Sequence, residues 1–157
     1  MQVFDVNEIF KFAIQIEENG EQFYHYAASI TDDDKAKDLF VFLAEEEVKH
    51  KEIFNELLSE LVSYSAKETY PGEYVDYLQN YVEDIVFTKE ALEEELTKIN
   101  DTLSAINFAI QKELDTILYF HEMKTFVQRN KHHLIEKIIN EERKHFSKLK
   151  AMKKKLK

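Results

Sequence analysis

The chain has 157 residues, 44% hydrophobic and 33% charged, which suits one packed domain and is too apolar for disorder. A formal net charge of −10 and a pI near 5.1 repel phosphate backbones and anionic membranes, so neither nucleic acid nor a membrane is an expected partner. No cysteine is present, which removes disulfides, thiolate metal sites and thiol catalysis. With two glycines and one proline, the chain lacks the residues that tight hairpins need, and a few long helices are expected. The first residues do not read as a signal peptide and no apolar run approaches spanning length, so a soluble cytoplasmic protein is expected.

Ile9, Phe10, Ala13, Ile14, Glu17, Tyr24 and Ala28 form the first stripe at helical spacing, opened by a capping box of Asp5 and Glu8. The polar cluster Thr31 to Asp34 ends that helix and caps the next. The second stripe is Phe40, Leu43, Glu47, His50, Phe54, Leu57 and Leu61. A crossover of about 65–100 follows, with Pro71-Gly72 and one short amphipathic helix through Tyr74, Tyr77, Leu78, Tyr81, Val82 and Ile85. Asn100 or Asp101 caps the third long helix, whose stripe is Ile106, Ala109, Glu113, Ile117 and Phe120. After a turn near Gln128 to Lys131 come Ile135, Ile138, Glu142, His145, Leu149 and Met152. The basic run from Lys148 to Lys157 complements the last helix's dipole. Short links within each helix pair and a long one between them predict an all-α antiparallel four-helix bundle, one domain over 1–157.

Each stripe carries one acid on its core side: Glu17, Glu47, Glu113 and Glu142. Two of these begin Glu-x-x-His, ending at His50 and His145, and residues i and i+3 share a helical face. Four buried carboxylates without partners would cost several kcal/mol each, so cations must lie among them. The inward faces offer little Lys or Arg, and Lys112 lies beside Glu113 but off its stripe. Metal ions are the simplest neutralising charge. The pattern also repeats: Ala13-Ile14-Gln15-x-Glu17 recurs as Ala109-Ile110-Gln111-x-Glu113, and Glu46-Glu47-x-Lys49-His50 as Glu141-Glu142-x-Lys144-His145. Two such hairpins face to face bring together four Glu and two His, the ligand inventory of two-metal carboxylate bundles. One Glu-x-x-His would be weak in a Glu-rich chain, whereas two in corresponding places of a repeat are specific. His25, His121, His132 and His133 lack a Glu three residues earlier and are expected on the surface or at helix ends.

At these residues the chain resembles the ferritin-like di-iron superfamily, and most closely its rubrerythrin-like branch, without the rubredoxin domain. The resemblance implies Glu17, Glu47, His50, Glu113, Glu142 and His145 as ligands of two metal ions, with Glu47 and either Glu113 or Glu142 bridging. It implies iron, while manganese, a mixed Fe/Mn pair and adventitious zinc also suit the ligand set. Tyr24 occupies the place of the family's aromatic hydroxyl, as a redox or supporting group or as a core tyrosine; its counterpart in the repeat is Phe120. Glu46 and Glu141 match the acids that orient a ligand imidazole on the opposite hairpin, or else belong to a solvated face. Two departures stand out. Thr116 replaces the further carboxylate of peroxide-reducing members, and Gly20 occupies the corresponding first-helix position, with Glu21 as a substitute.

The resemblance implies an oxidoreductase reacting with hydrogen peroxide or dioxygen, its electrons coming from a separate donor protein because the chain has no cysteine to hold the additional single iron of peroxide-reducing members. The alternatives are a ferroxidase that handles iron as substrate and a non-catalytic bundle stapled by its metals. A homo-oligomer is expected, a dimer before larger assemblies.

Overall fold

The computed structural model describes residues 2–4, 6–62, 68–70 and 72–156. Four long helices dominate: α1 (Val6–Ile30), α2 (Asp34–Val62), α5 (Thr102–Lys124) and α6 (His132–Lys155). Between the pairs run α3 (Gly72–Ile85) and α4 (Lys89–Leu96), the partly helical crossover of a ferritin-like bundle. The proposed Asp5 cap lies outside the described residues.

Local chemistry accounts for the boundaries. Asp33 Oδ1 accepts from the Ala36 amide at 2.8 Å and opens α2. Asp101, the acid of the two candidates, caps α5 through the Ser104 amide at 2.7 Å, and Ser104 Oγ closes a reciprocal capping box. The turn before α6 contains one 3₁₀ turn, Arg129–Lys131. Two features are absent from the sequence expectation. One is α4, whose Thr88 accepts from the Ala91 amide at 3.2 Å and whose Leu92 is buried. The other is a short antiparallel ribbon pairing β1 (Gln2–Phe4) with β2 (Glu68–Tyr70). Three-residue strands are too short for alternation to be read along the chain.

The core consists of two apolar clusters, one at each end of the bundle. Ile9, Phe10, Phe54, Phe120, Ile135 and Ile138 belong to one; Phe23, Phe40, Leu43, Ile106 and Leu149 belong to the other. Most residues of the expected stripes are buried, the side chain of Leu61 lying outside the described residues, but the stripes are too narrow. Ile16, Phe23, Ala27 and Tyr119 are buried as well, while Ile14, Ile117 and Met152 are only half-buried. A helix that touches two neighbours buries a wide sector, so a single column of residues under-reads it.

Hydroxyl and amide contacts fasten the crossover to the α1–α5 face. Tyr26 donates to the Ile99 carbonyl at 2.7 Å, and Asn19 Nδ2 to the Phe87 carbonyl at 2.9 Å. Tyr81 donates to the Asp115 carbonyl, and Lys112 Nζ donates to the Ile85 carbonyl at the end of α3 at 2.7 Å. Among the described residues, no helix is long and apolar enough to cross a membrane.

Replacing Asp101 by Ala removes the α5 cap and should cost about 1 kcal/mol. Thermal unfolding of metal-loaded Asp101→Ala against wild type checks this, and an unchanged Tm would contradict the assigned cap.

Candidate metal centre

The four stripe acids and two histidines meet halfway along the bundle, between the two apolar clusters. Glu17 and Glu142 are fully buried, and Glu47, Glu113, His50 and His145 are at most 4% exposed. They form two groups related by the sequence repeat. Glu17, Glu47, His50 and Glu142 bring one ligating atom each to within 4.8 Å of one another, and so do Glu47, Glu113, Glu142 and His145. Each group thus takes one acid from a helix without a Glu-x-x-His, one complete Glu-x-x-His, and the glutamate of the other Glu-x-x-His. Glu47 and Glu142 are common to both groups; Glu113 belongs to one.

Glu142 lies between the two imidazoles. Its Oε1 is 3.0 Å from His50 Nδ1 and its Oε2 is 2.9 Å from His145 Nδ1. The rings are nearly parallel, 19° apart in plane, with centroids 5.8 Å apart. His50 Nδ1 also lies 3.6 Å from Glu17 Oε2, and His145 Nδ1 lies 3.5 Å from Glu47 Oε1 and 3.7 Å from Glu113 Oε1. Both rings therefore aim Nδ1 inward. On the outer side, His50 Nε2 bonds to Glu141 Oε2 at 2.7 Å across the hairpins, the orienting contact expected of that acid. Glu46 differs: its carboxylate takes Lys49 Nζ at 2.8 Å on its own helix. Tyr24 donates to Glu113 Oε1 at 2.5 Å, so the aromatic hydroxyl does face the acids.

The donor set fits divalent cations. Both oxygens of Glu17 and Oε1 of Glu47 are buried without a hydrogen-bond donor, a placement tolerable for carboxylates that ligate a cation. The protonation pattern agrees. Burial and neighbouring acids push Glu17 well above the usual carboxylate range, and burial with Glu142 does the same to Glu113. Burial would also raise Glu142, but His50 and His145 outweigh it and hold that carboxyl well below its ordinary value. Burial disfavours the charged rings, yet the facing acids raise His50 strongly and His145 to about 12. Without metal, protons would offset part of this negative charge, and metal uptake would release them.

The remaining residues named from sequence are placed as follows. Glu21 does not join the centre; its carboxylate bonds to Lys51 Nζ at 3.0 Å, on the outside of the α1–α2 pair. Gly20 and Thr116 line a small cavity beside Glu47 and Glu113. His25, His121 and His133 are exposed, and His132 Nε2 contacts the Val127 carbonyl at 2.7 Å near the start of α6. Lys112, off the α5 stripe as expected, nonetheless reaches that cavity's wall, where burial lowers its ammonium to about 8. Lysine's four-carbon stem lets an off-stripe position reach inward, so periodicity undervalues it.

Two outcomes follow. In chelator, the acids and rings with raised values bind more protons folded than unfolded, so stability should fall as pH rises from 6.5 to 8, above which Lys112 acts in the opposite direction. Glu142 has the opposite sign, but its contribution is lost only as pH falls below the ordinary carboxylate range. Bound metal displaces the protons, so melting curves of loaded protein should show this decline flattened or reversed; a metal-free Tm that climbs with pH would refute the assignment. Separately, Glu141→Gln should weaken metal binding about 10–100-fold, and Glu46→Gln less, in chelator-competition titrations.

A model of the rubrerythrin family matches residues 8–153. Among solved structures, the fold is similar to a Thermotoga maritima protein assigned to the ferritin-like diiron-carboxylate class, at 26% identity and a TM-score of 0.76. That match covers 100% of this chain and 99% of the other. A hypothetical protein from Pyrococcus furiosus shares the fold at 21% identity and a TM-score of 0.68, over 96% of this chain and 89% of its own. No curated protein sequence matches the chain. With the family's match running through all four long helices and the buried acid–histidine cluster in place, the chain belongs to the rubrerythrin family.

Proposed function

We propose that the protein is a di-iron oxidoreductase that reduces hydrogen peroxide to water with electrons from a separate donor protein. The observation that carries this reading is the pair of buried ligand groups sharing Glu47 and Glu142. Two ions would be held there, one by Glu17 and His50 and the other by Glu113 and His145, with Glu47 and Glu142 available to both. Bound iron(II) would supply one electron at each position, the two that cleavage of one O–O bond requires, and two protons complete two waters.

The chain's own residues then have distinct tasks. With metal bound, Glu141 would accept from His50 Nε2–H and so leave Nδ1 free to ligate. Tyr24 holds Glu113 by its hydroxyl and keeps that carboxylate aligned. The apolar clusters on either side exclude bulk water from the acidic layer. The adjacent cavity, about 20 Å³, admits one or two heavy atoms, which supports a small oxidant over an organic substrate.

The proposal also includes a homodimer. On α5, Leu103, Leu114 and Leu118 are exposed on one face with half-buried Ile110 and Ile117 between them, an apolar stripe consistent with pairing.

Protein loaded with iron, reduced anaerobically and mixed with peroxide should reoxidise much faster than with dioxygen. Rapid dioxygen and sluggish peroxide reactions would favour iron oxidation as the activity, and no response to either would favour a structural metal site. Metal analysis of the purified protein should return two ions per chain. Tyr24→Phe should retain both ions and slow reoxidation, read by stopped-flow absorption.

A further inference from the structure

A second cavity lies within the apolar cluster of Phe54 and Phe120, where α3 meets α1 and α5. It measures about 50 Å³, and the buried side chains Ile9, Leu78, Val82, Tyr119 and Met123 form its interior. The Tyr119 hydroxyl already donates to the Ile9 carbonyl at 2.8 Å. The interior therefore offers no spare donor, and a water there would find too few polar partners. One water needs about 10–15 Å³, so the space takes an apolar segment of about three to five heavy atoms.

The mouth of this cavity has one sign of charge. Glu8 and Gln79 on its wall are exposed, and Glu122 is half-buried. Phe12, Gln79 and Val82 also line a surface groove that continues along α3 to Thr88 and includes the exposed Glu83. Among the described residues, neither the cavity nor the groove has a Lys, Arg or His in its wall. Three carboxylates without a cation favour positive charge at the mouth, while the apolar interior takes up hydrocarbon.

We propose that this cavity is a binding site for a primary alkylammonium ion. Its hydrocarbon end lies among Ile9, Leu78, Val82 and Met123, and its ammonium lies near the acids of the mouth and groove. The site is independent of the two-metal reading, since no residue of its wall belongs to the acid–histidine cluster. A carboxylate of the same chain length carries the same hydrocarbon with the wrong charge. The rival account is a packing void at a helix junction, which would admit hydrocarbon without regard to charge. The test therefore compares ligands of one length and different charge.

Full-length zinc-loaded protein, labelled at its methionine methyl groups, is titrated with hexylamine, hexanol and hexanoate at neutral pH and followed by NMR. Zinc is diamagnetic, and a protonated amine has no lone pair to offer a metal ion. Hexylamine should shift the Met123 methyl resonance saturably and leave Met152, against the other apolar cluster, unmoved. It should bind about fivefold or more tighter than hexanoate, with hexanol between them. From ethylamine to pentylamine, affinity should rise about fourfold per methylene. The double substitution Glu8→Gln and Glu83→Gln should at least halve the preference for amine over carboxylate. Val82→Phe, which fills the cavity, should weaken hexylamine binding about tenfold or more. Hexanol or hexanoate binding as tightly as hexylamine would identify an unselective void and overturn the proposal. An unmoved Met123 resonance, or unchanged affinity in Val82→Phe, would overturn it too. If Val82→Phe does not fold, the Met123 resonance and the order of the three ligands decide.

Discussion

A layer of carboxylate divides this protein's hydrophobic core. Phe10, Phe54 and Phe120 pack at one end and Phe23, Phe40 and Leu43 at the other, and between them Glu17, Glu47, Glu113 and Glu142 are almost completely withdrawn from water. Removing one cation from such a layer leaves a charge that solvent cannot reach, at a cost comparable to the whole stability of a domain. The fold therefore depends on positive charge in that layer. Imidazolium rings and protons can supply part of it, and divalent ions can supply all of it.

This dependence explains why the supporting residues are arranged unequally around a repeated ligand pattern. The His50 side is tied across the hairpins by Glu141, whereas Glu46 is occupied by Lys49 on its own helix. Tyr24 bonds to Glu113, while its repeat counterpart Phe120 packs into the apolar cluster. Duplication sets the first ring of donors, because every donor must meet the same two points. The residues behind them answer to different neighbours and have diverged in role.

The crossover adds a second asymmetry. Asn19, Tyr26, Tyr81 and Lys112 fasten it over the α1–α5 face, through backbone carbonyls of the crossover itself or, for Tyr81, of α5. Both histidines lie on α2 and α6. The cavity at Gly20 and Thr116 lies on the α1–α5 side, beneath Leu92 of α4. The bundle thus has a nitrogen-ligand side held by side-chain ion pairs and an open side roofed by the connection. A small molecule approaching the acids meets glycine and threonine on the open side.

The ligand set was legible in the amino-acid order because it combines two periodicities, helical spacing and a chain repeat. The long helices, the Asp101 cap and the inward acids follow from the same local rules. Which acid is shared was left open between Glu113 and Glu142, and only packing of the hairpins places Glu142 between both rings. Glu21 and Lys112 make the same point from opposite sides. Sequence proximity offered Glu21 to the centre, yet its helix face turns it to Lys51; Lys112 was off the stripe, yet its long stem reaches the cavity wall. Spacing along one helix determines which residues share its face, and that much the sequence alone decided. How far two hairpins interlock, and what the crossover covers, depends on contacts between residues distant in the chain, and those only the tertiary structure decided.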